Sequence, residues 1–288
     1  QVTRVLTSHL CLRGERDRFG FDRAAAAAIF RFGGWIFVST IAAFFALQLD
    51  RFVFPKQFDW GDAGVYSIAV NLTTVVPAVV GSLQLAVVFP LYSRVLGEGR
   101  EVGPYVVQVK RAVYALAGLL VACTIGGADA LIRLVYADAF AAAGGMVAVL
   151  SIGAWFQIVE TLYGAVLLAR GQTRWVALAN ASKPVVFLLW LSLAPQPITM
   201  TSAILAWSIA DLVRGSVAVA GAAHLRAATI TLDVRMTTYT FVVAAVLWLG
   251  ARELRALSFG PLTELLLVGA VGLTLFAPLL LPALATLR

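Results

Sequence analysis

Charge is scarce in this chain. Charged residues are 13% of its 288 positions, where soluble globular domains carry roughly 25%. So few cannot clothe a water-facing surface, and a soluble enzyme is excluded. Acidic side chains are the scarcer kind, 15 against 22 basic ones. There are two cysteines, Cys11 in a basic tail and Cys123 in an apolar run, so no disulfide framework is expected. The two histidines, His9 and His224, sit in polar segments without ligand spacing, and no metal site is expected. No GxxxxGK[ST] loop occurs, Gly33-Gly34 lies inside an apolar run, and no Ser-His-Asp or Cys-His set has plausible access. Neither a cofactor nor catalysis is expected. No RNA- or DNA-binding motif accompanies the net charge of +7, so no nucleic-acid partner is expected. Residues 1–23 lack the apolar core of a signal peptide. With Gln1 at the start, the expectation is a piece that begins inside a longer protein.

What the chain has in quantity is apolar length. Hydrophobic residues are 61% of it and the mean hydropathy is +0.90. Phe32–Leu49 is 18 residues without a charge, and Val65–Tyr92 is 28. About 18 or more apolar residues cross a hydrocarbon layer about 30 Å thick. The same unit, an apolar span and a short polar link, recurs at about 26–49, 64–93, 112–132, 144–169, 175–194, 200–221, 237–250 and 262–285. The shortest, 237–250, needs a tilt or a start near Met236. The predicted fold is all-α: a polytopic membrane helical bundle of about eight transmembrane helices. It divides into a basic cytoplasmic segment, 1–23, and a bundle, 24–288.

The basic residues orient the bundle. The tail, the 94–111 loop, the 170–174 turn, the 222–236 loop and the C-terminus hold 15 of the 22 Lys and Arg, counting Arg31. Arg51, Lys56, Arg133, Arg252 and Arg255 lie in the other links. Because short cytoplasmic links are rich in Lys and Arg, both termini are predicted to be cytoplasmic. No link is long enough for a soluble catalytic domain. That counts against membrane-embedded glycosyltransferases and ligases.

Charges inside spans are costly, from about 2.5 kcal/mol each, and so are the first candidates for function. Glu160 lies mid-span with Gln157 one turn before it, on a shared face. They either line a cavity or clasp two helices. Asp211 and Arg214 are three apart and either neutralise each other, with Arg214 snorkelling, or present Arg214 to a cavity. Lys183 precedes Pro184, a kink site, and either snorkels or faces inward. Arg31, Lys183 and Arg214 together would make a basic inner vestibule suited to a pyrophosphate. Asp50-Arg51 reads as an ion pair closing the first span, and Asn71 and Gln84 as separate helix contacts. The small-residue clusters Ala24–Ala28, Ala141–Gly145 and Ala218–Ala223 permit close helix approach.

Several motifs carry a resemblance. Asp50-Arg51, Gly64-x-Tyr66 and Phe89-Pro90 come first; Ile132-Arg133-Leu134-Val135-Tyr136 and Leu167-Leu168-Ala169-Arg170-Gly171-Gln172 follow. Over about residues 28–190 the chain resembles the second half of oligosaccharide flippases. These are the polysaccharide-transport branch of the multidrug/oligosaccharidyl-lipid/polysaccharide exporter superfamily. The resemblance implies a cargo of undecaprenyl-pyrophosphate-linked oligosaccharide, moved from the inner to the outer leaflet by alternating access between two helix bundles. It implies a place in the bacterial inner membrane, and in making O-antigen, capsule or exopolysaccharide. Its implied partners are the lipid-linked oligosaccharide, membrane lipid and a polysaccharide polymerase or other assembly proteins. Alternatives are a drug/cation antiporter or a lipid II flippase of the same superfamily, a membrane-embedded enzyme of polysaccharide assembly, and a non-transporting membrane scaffold. An antiporter would need an acidic cation site, with Glu160 and Asp211 as its only deep acids.

Overall fold

The computed structural model describes residues 22–285, with side chains for 22–23 and 33–282. The basic segment 1–23 falls almost wholly outside it. The apolar runs become helices: α1 (Arg23–Gln57), α2 (Trp60–Thr73), α3 (Val75–Leu83), α4 (Phe89–Gly97) and α5 (Gly103–Val135). Then come α6 (Ala143–Ala169), α7 (Thr173–Leu193), α8 (Met200–His224), α9 (Ile230–Ala256) and α10 (Pro261–Ala285). No strand occurs among the described residues. Helices α2, α3 and α4 make one long span, so the described residues contain eight helical stretches long and apolar enough to cross a membrane. An uncovered backbone group is costly in hydrocarbon, and a helix satisfies its own hydrogen bonds, which is why such runs fold this way.

Several ends lie further out than expected. The seventh span, predicted at 237–250, runs Ile230–Ala256, which removes its length problem. The first continues past Asp50-Arg51 to Gln57, so that pair does not close the helix. The long second span is interrupted rather than smoothly bent. A π-helical turn, Gln84–Val88, separates α3 from α4. Pro90 then sits in the first turn of α4, where its missing N–H costs least. At α8 the Thr199 hydroxyl caps the start by accepting from Ser202 N at 3.3 Å.

Helix α6 is the central post. It packs on α8, α5 and α7 and against the α2–α4 span. Helix α1 packs on α7 but touches α2 only lightly, while α9 and α10 pack on α5 and on each other. Close approaches are made at glycines. A Cβ on Gly126 would stand 2.7 Å from Leu247 Cβ, and one on Gly221 would stand 2.8 Å from the Trp175 ring. Gly144 faces Asp129 too closely for any side chain. The clusters around Gly144 and Gly221 thus serve packing, as expected; Ala24–Ala28 lie outside the described side chains.

Two polar clasps tie α9 and α10 to the rest. At one end Lys110, fully buried on α5, lies 2.5 Å from Asp233 on α9. Tyr114 donates to the same carboxylate at 2.8 Å, Tyr163 donates to its other oxygen, and the ammonium lies 3.4 Å from the centre of the Tyr163 ring. At the other end Arg133 pairs with buried Glu264, and Arg255 lies 2.7 Å from Asp129. A solvated-link reading of 94–111 and 222–236 does not anticipate Lys110 and Asp233 as a buried pair.

Candidate functional site: a cleft floored by buried ion pairs

Because α1 leans on α7 and barely touches α2, a cleft of about 760 Å³ opens between them. One wall is α1, with Ser39, Thr40 and Gln48 facing in; the other is α2–α3, ending at Gln84. The floor comes from α6, α7 and α8: Gln157, Glu160 and Thr161, then Asn180, then Arg214. The π-helical turn begins at Gln84. It brings the amide toward Gly164, where a Cβ would meet Gln84 Nε2 at 3.7 Å and Glu160 Oε1 at 3.6 Å. Such turns re-aim side chains and are frequent at functional sites.

The floor is a chain of contacts across three helices. Arg214 Nη2 on α8 lies 2.9 Å from Glu160 Oε2 on α6. The same nitrogen donates to Asn180 Oδ1 on α7 at 2.8 Å. Asn180 Nδ2 in turn donates to the Ser39 hydroxyl at 3.0 Å, reaching α1. Glu160 and Arg214 are each about 95% buried. Two donors of Arg214, Nε and Nη1, are buried without a hydrogen-bond partner among the described residues. A buried unsatisfied donor on an ionised group costs a few kcal/mol, so an acceptor that reached these donors would stabilise the floor.

Lys183 and Asp211 behave differently. Lys183 Nζ lies 2.9 Å from both Asp211 carboxylate oxygens, with only Oδ2 in hydrogen-bonding geometry. The ammonium also stands 3.8 Å from the centre of the Trp207 ring. Both residues are buried, and neither lines the cleft. Snorkelling by Lys183 and by Arg214 is therefore not what the structure shows, nor does Asp211 pair with Arg214 in the same helix. The side chains of 211 and 214 turn toward different neighbouring helices. Of the six sequence candidates, Gln157, Glu160 and Arg214 meet in the cleft, Lys183 and Asp211 pair beside it, and the Arg31 side chain lies outside those described.

A further residue stands out at one end. Asp50 is 98% buried and its Oδ2 accepts from the Tyr66 hydroxyl at 2.6 Å, while its Oδ1 has no partner among the described residues. Its chain neighbour Arg51 is exposed instead, on the wall of the cleft. The interfacial Asp50-Arg51 ion pair is thus replaced by a contact from α1 to α2. Asn71 lines a smaller pocket of about 310 Å³ beside Asp50, whereas Gln84 lines the main cleft, so the two do serve separate places. The signal missed in the sequence is the aromatic hydroxyl one helix away.

The chain from residue 3 to residue 144 matches the model of a family described as polysaccharide biosynthesis protein. That match takes in just under half of the chain, and over it the chain is similar to this family. No curated protein and no solved structure matches it. The family stretch holds α1 to α5, and hence both cleft walls. The charged floor, from Gln157 onward, lies beyond it. The family match and the eight membrane-length helices are consistent with a multi-pass membrane protein of polysaccharide biosynthesis.

Proposed function

We propose that this protein is a flippase, not an enzyme, and that the cleft forms part of the path of an undecaprenyl-pyrophosphate-linked oligosaccharide. The observation that carries the reading is Arg214. It is a buried guanidinium at the floor of an open cleft, with two donors unused. A pyrophosphate supplies acceptors for such a fork. The amides and hydroxyls of Gln48, Gln84, Gln157 and Thr40 suit sugar hydroxyls. Glu160 holds Arg214 in place when no cargo does, and an arriving phosphate competes with it. The two acids that the antiporter alternative would use, Glu160 and Asp211, are both matched by fixed cations, Arg214 and Lys183, at 2.9 Å. That disfavours a cation site at Glu160 or Asp211 and favours an anionic cargo over the antiporter alternative. The proposed setting is the bacterial inner membrane, upstream of a polymerase.

The test is complementation. The gene is deleted in its host and restored with Arg214→Gln or Glu160→Gln, and lipid-linked intermediates are assayed on each leaflet. Loss of surface polymer with intermediates held on the cytoplasmic side is expected. Intermediates accumulating on the outer side would point to a polymerising enzyme. Normal polymer with altered resistance to cationic drugs would point to the antiporter.

A further inference from the structure

A second groove, of about 300 Å³, lies away from the cleft and shares no residue with it. It runs between α5, α9 and α10. Its bed is apolar, formed by Val107, Leu232, Met236 and Leu279, and at its mouth stand Arg111 from α5 and Arg235 from α9. Both arginines are exposed. Neither has an ion pair or hydrogen bond among the described residues. The carboxylate nearest in sequence to Arg235 is Asp233, and it is already used. It is turned inward, onto Lys110, Tyr114 and Tyr163. Among the described residues, the groove therefore presents two guanidinium charges with no counter-ion, directly above an apolar bed.

We propose that this groove is a binding site for an anionic phospholipid. The phosphodiester sits between Arg111 and Arg235, and an acyl chain lies along the bed between α9 and α10. The surroundings select a lipid over a soluble phosphate. The helices that form the groove are membrane-length, and beside it α9 and α10 expose Val234, Val242 and Leu281. The mouth lies at the start of α5, the start of α9 and the end of α10. The charge bias of the links assigns that end to the cytoplasm, where anionic lipids meet basic pockets between spans. Arginine in a pair suits a phosphodiester because its donors form a planar fork that matches the phosphate oxygens. A lipid so held bridges α5 to the α9–α10 hairpin on the outer side of the Lys110–Asp233 clasp.

Native mass spectrometry of the purified full chain, stripped of lipid and titrated with phosphatidylglycerol or phosphatidylcholine, tests this. Phosphatidylglycerol adducts are expected at concentrations where phosphatidylcholine leaves none. The double variant Arg111→Gln/Arg235→Gln is expected to lose them several-fold. Arg174→Gln/Arg226→Gln removes the same charge from exposed positions elsewhere and should keep them. Equal loss in the two doubles would reduce the effect to diffuse surface charge and overturn the site. Equal binding of the two lipids by the wild type would do so as well. Soluble glycerol phosphate should fail to displace the adducts; displacement at matched concentration would replace the lipid by a free phosphate. The last two comparisons use only the wild type, so they decide the matter even if the first double does not elute as a single species. None of these outcomes depends on flipping.

Discussion

Arg214 on α8 pairs with Glu160 on α6 at 2.9 Å, although Asp211 stands one turn before it on its own helix. Asp211 is taken by Lys183 of α7 instead. The two ion pairs run from α8 to two different neighbours, one at the floor of the cleft and one beside it, and so lock three helices together. Removing one partner of a buried pair leaves the other charge stranded, which costs on the order of 3–5 kcal/mol. Replacing both by apolar groups can be close to neutral. That asymmetry separates stability from transport.

Arg214→Met is expected to lower thermal stability in detergent markedly, because Glu160 is left buried without its partner. Arg214→Met with Glu160→Leu should recover most of the loss while polymer export stays absent. Thermal unfolding of the purified variants, set beside complementation, checks both halves. Restored export in the double variant would remove Arg214 from the transport path.

Lys183→Met and Asp211→Leu should each destabilise, and their combination should cost far less than the sum. Residues in contact typically show coupling of about 0.5–3 kcal/mol in a double-mutant cycle. The cycle is read from unfolding midpoints. Additive effects would contradict the pairing across α7 and α8.

Tyr66→Phe removes the hydroxyl that α2 gives to buried Asp50 on α1. Hydrogen bonds to charged groups are worth about 1.5–3 kcal/mol. Since α1 and α2 otherwise touch lightly, the loss should appear as a looser cleft. A cysteine at Thr40, which lines the cleft, should react faster with a water-soluble maleimide in the Tyr66→Phe background than in the parent. Unchanged labelling would leave Tyr66 a local contact only.

Gly126→Val should be disruptive, since its Cβ would stand 2.7 Å from Leu247 Cβ at the α5–α9 crossing. Overpacking of this kind costs typically about 1–3 kcal/mol. Gly145→Ala, with nothing within 4 Å of the added carbon, should leave the unfolding midpoint unchanged. Similar midpoints for the two would mean that α5 and α9 do not meet there.

Much of the scaffold was legible in the chain itself. A run such as Val65–Tyr92 has no charge to expose and no means of satisfying its backbone except as a helix in lipid, so its length alone sets a span. The spacing of links and their Lys and Arg set the number of spans and the predicted orientation. The cleft's principal charges were visible too, because a charge at Glu160 or Arg214 is conspicuous against 61% hydrophobic residues.

Partnership was not legible, because which atoms meet is decided through space by how helices cross. Asp50 lies next to Arg51 in the chain and is bound by Tyr66 across a helix boundary. Lys110 and Asp233 look like residues of solvated links, and only the packing of α5 on α9 makes them a buried pair. Three residues separate Asp211 from Arg214, yet each finds its counter-charge on another helix, since a buried charge takes the partner that the packed bundle brings within reach. The sequence by itself determined that the chain is a membrane-spanning helical bundle and where its charges are. Tertiary structure alone decided which of those charges face an open cleft and which are spent holding helices together.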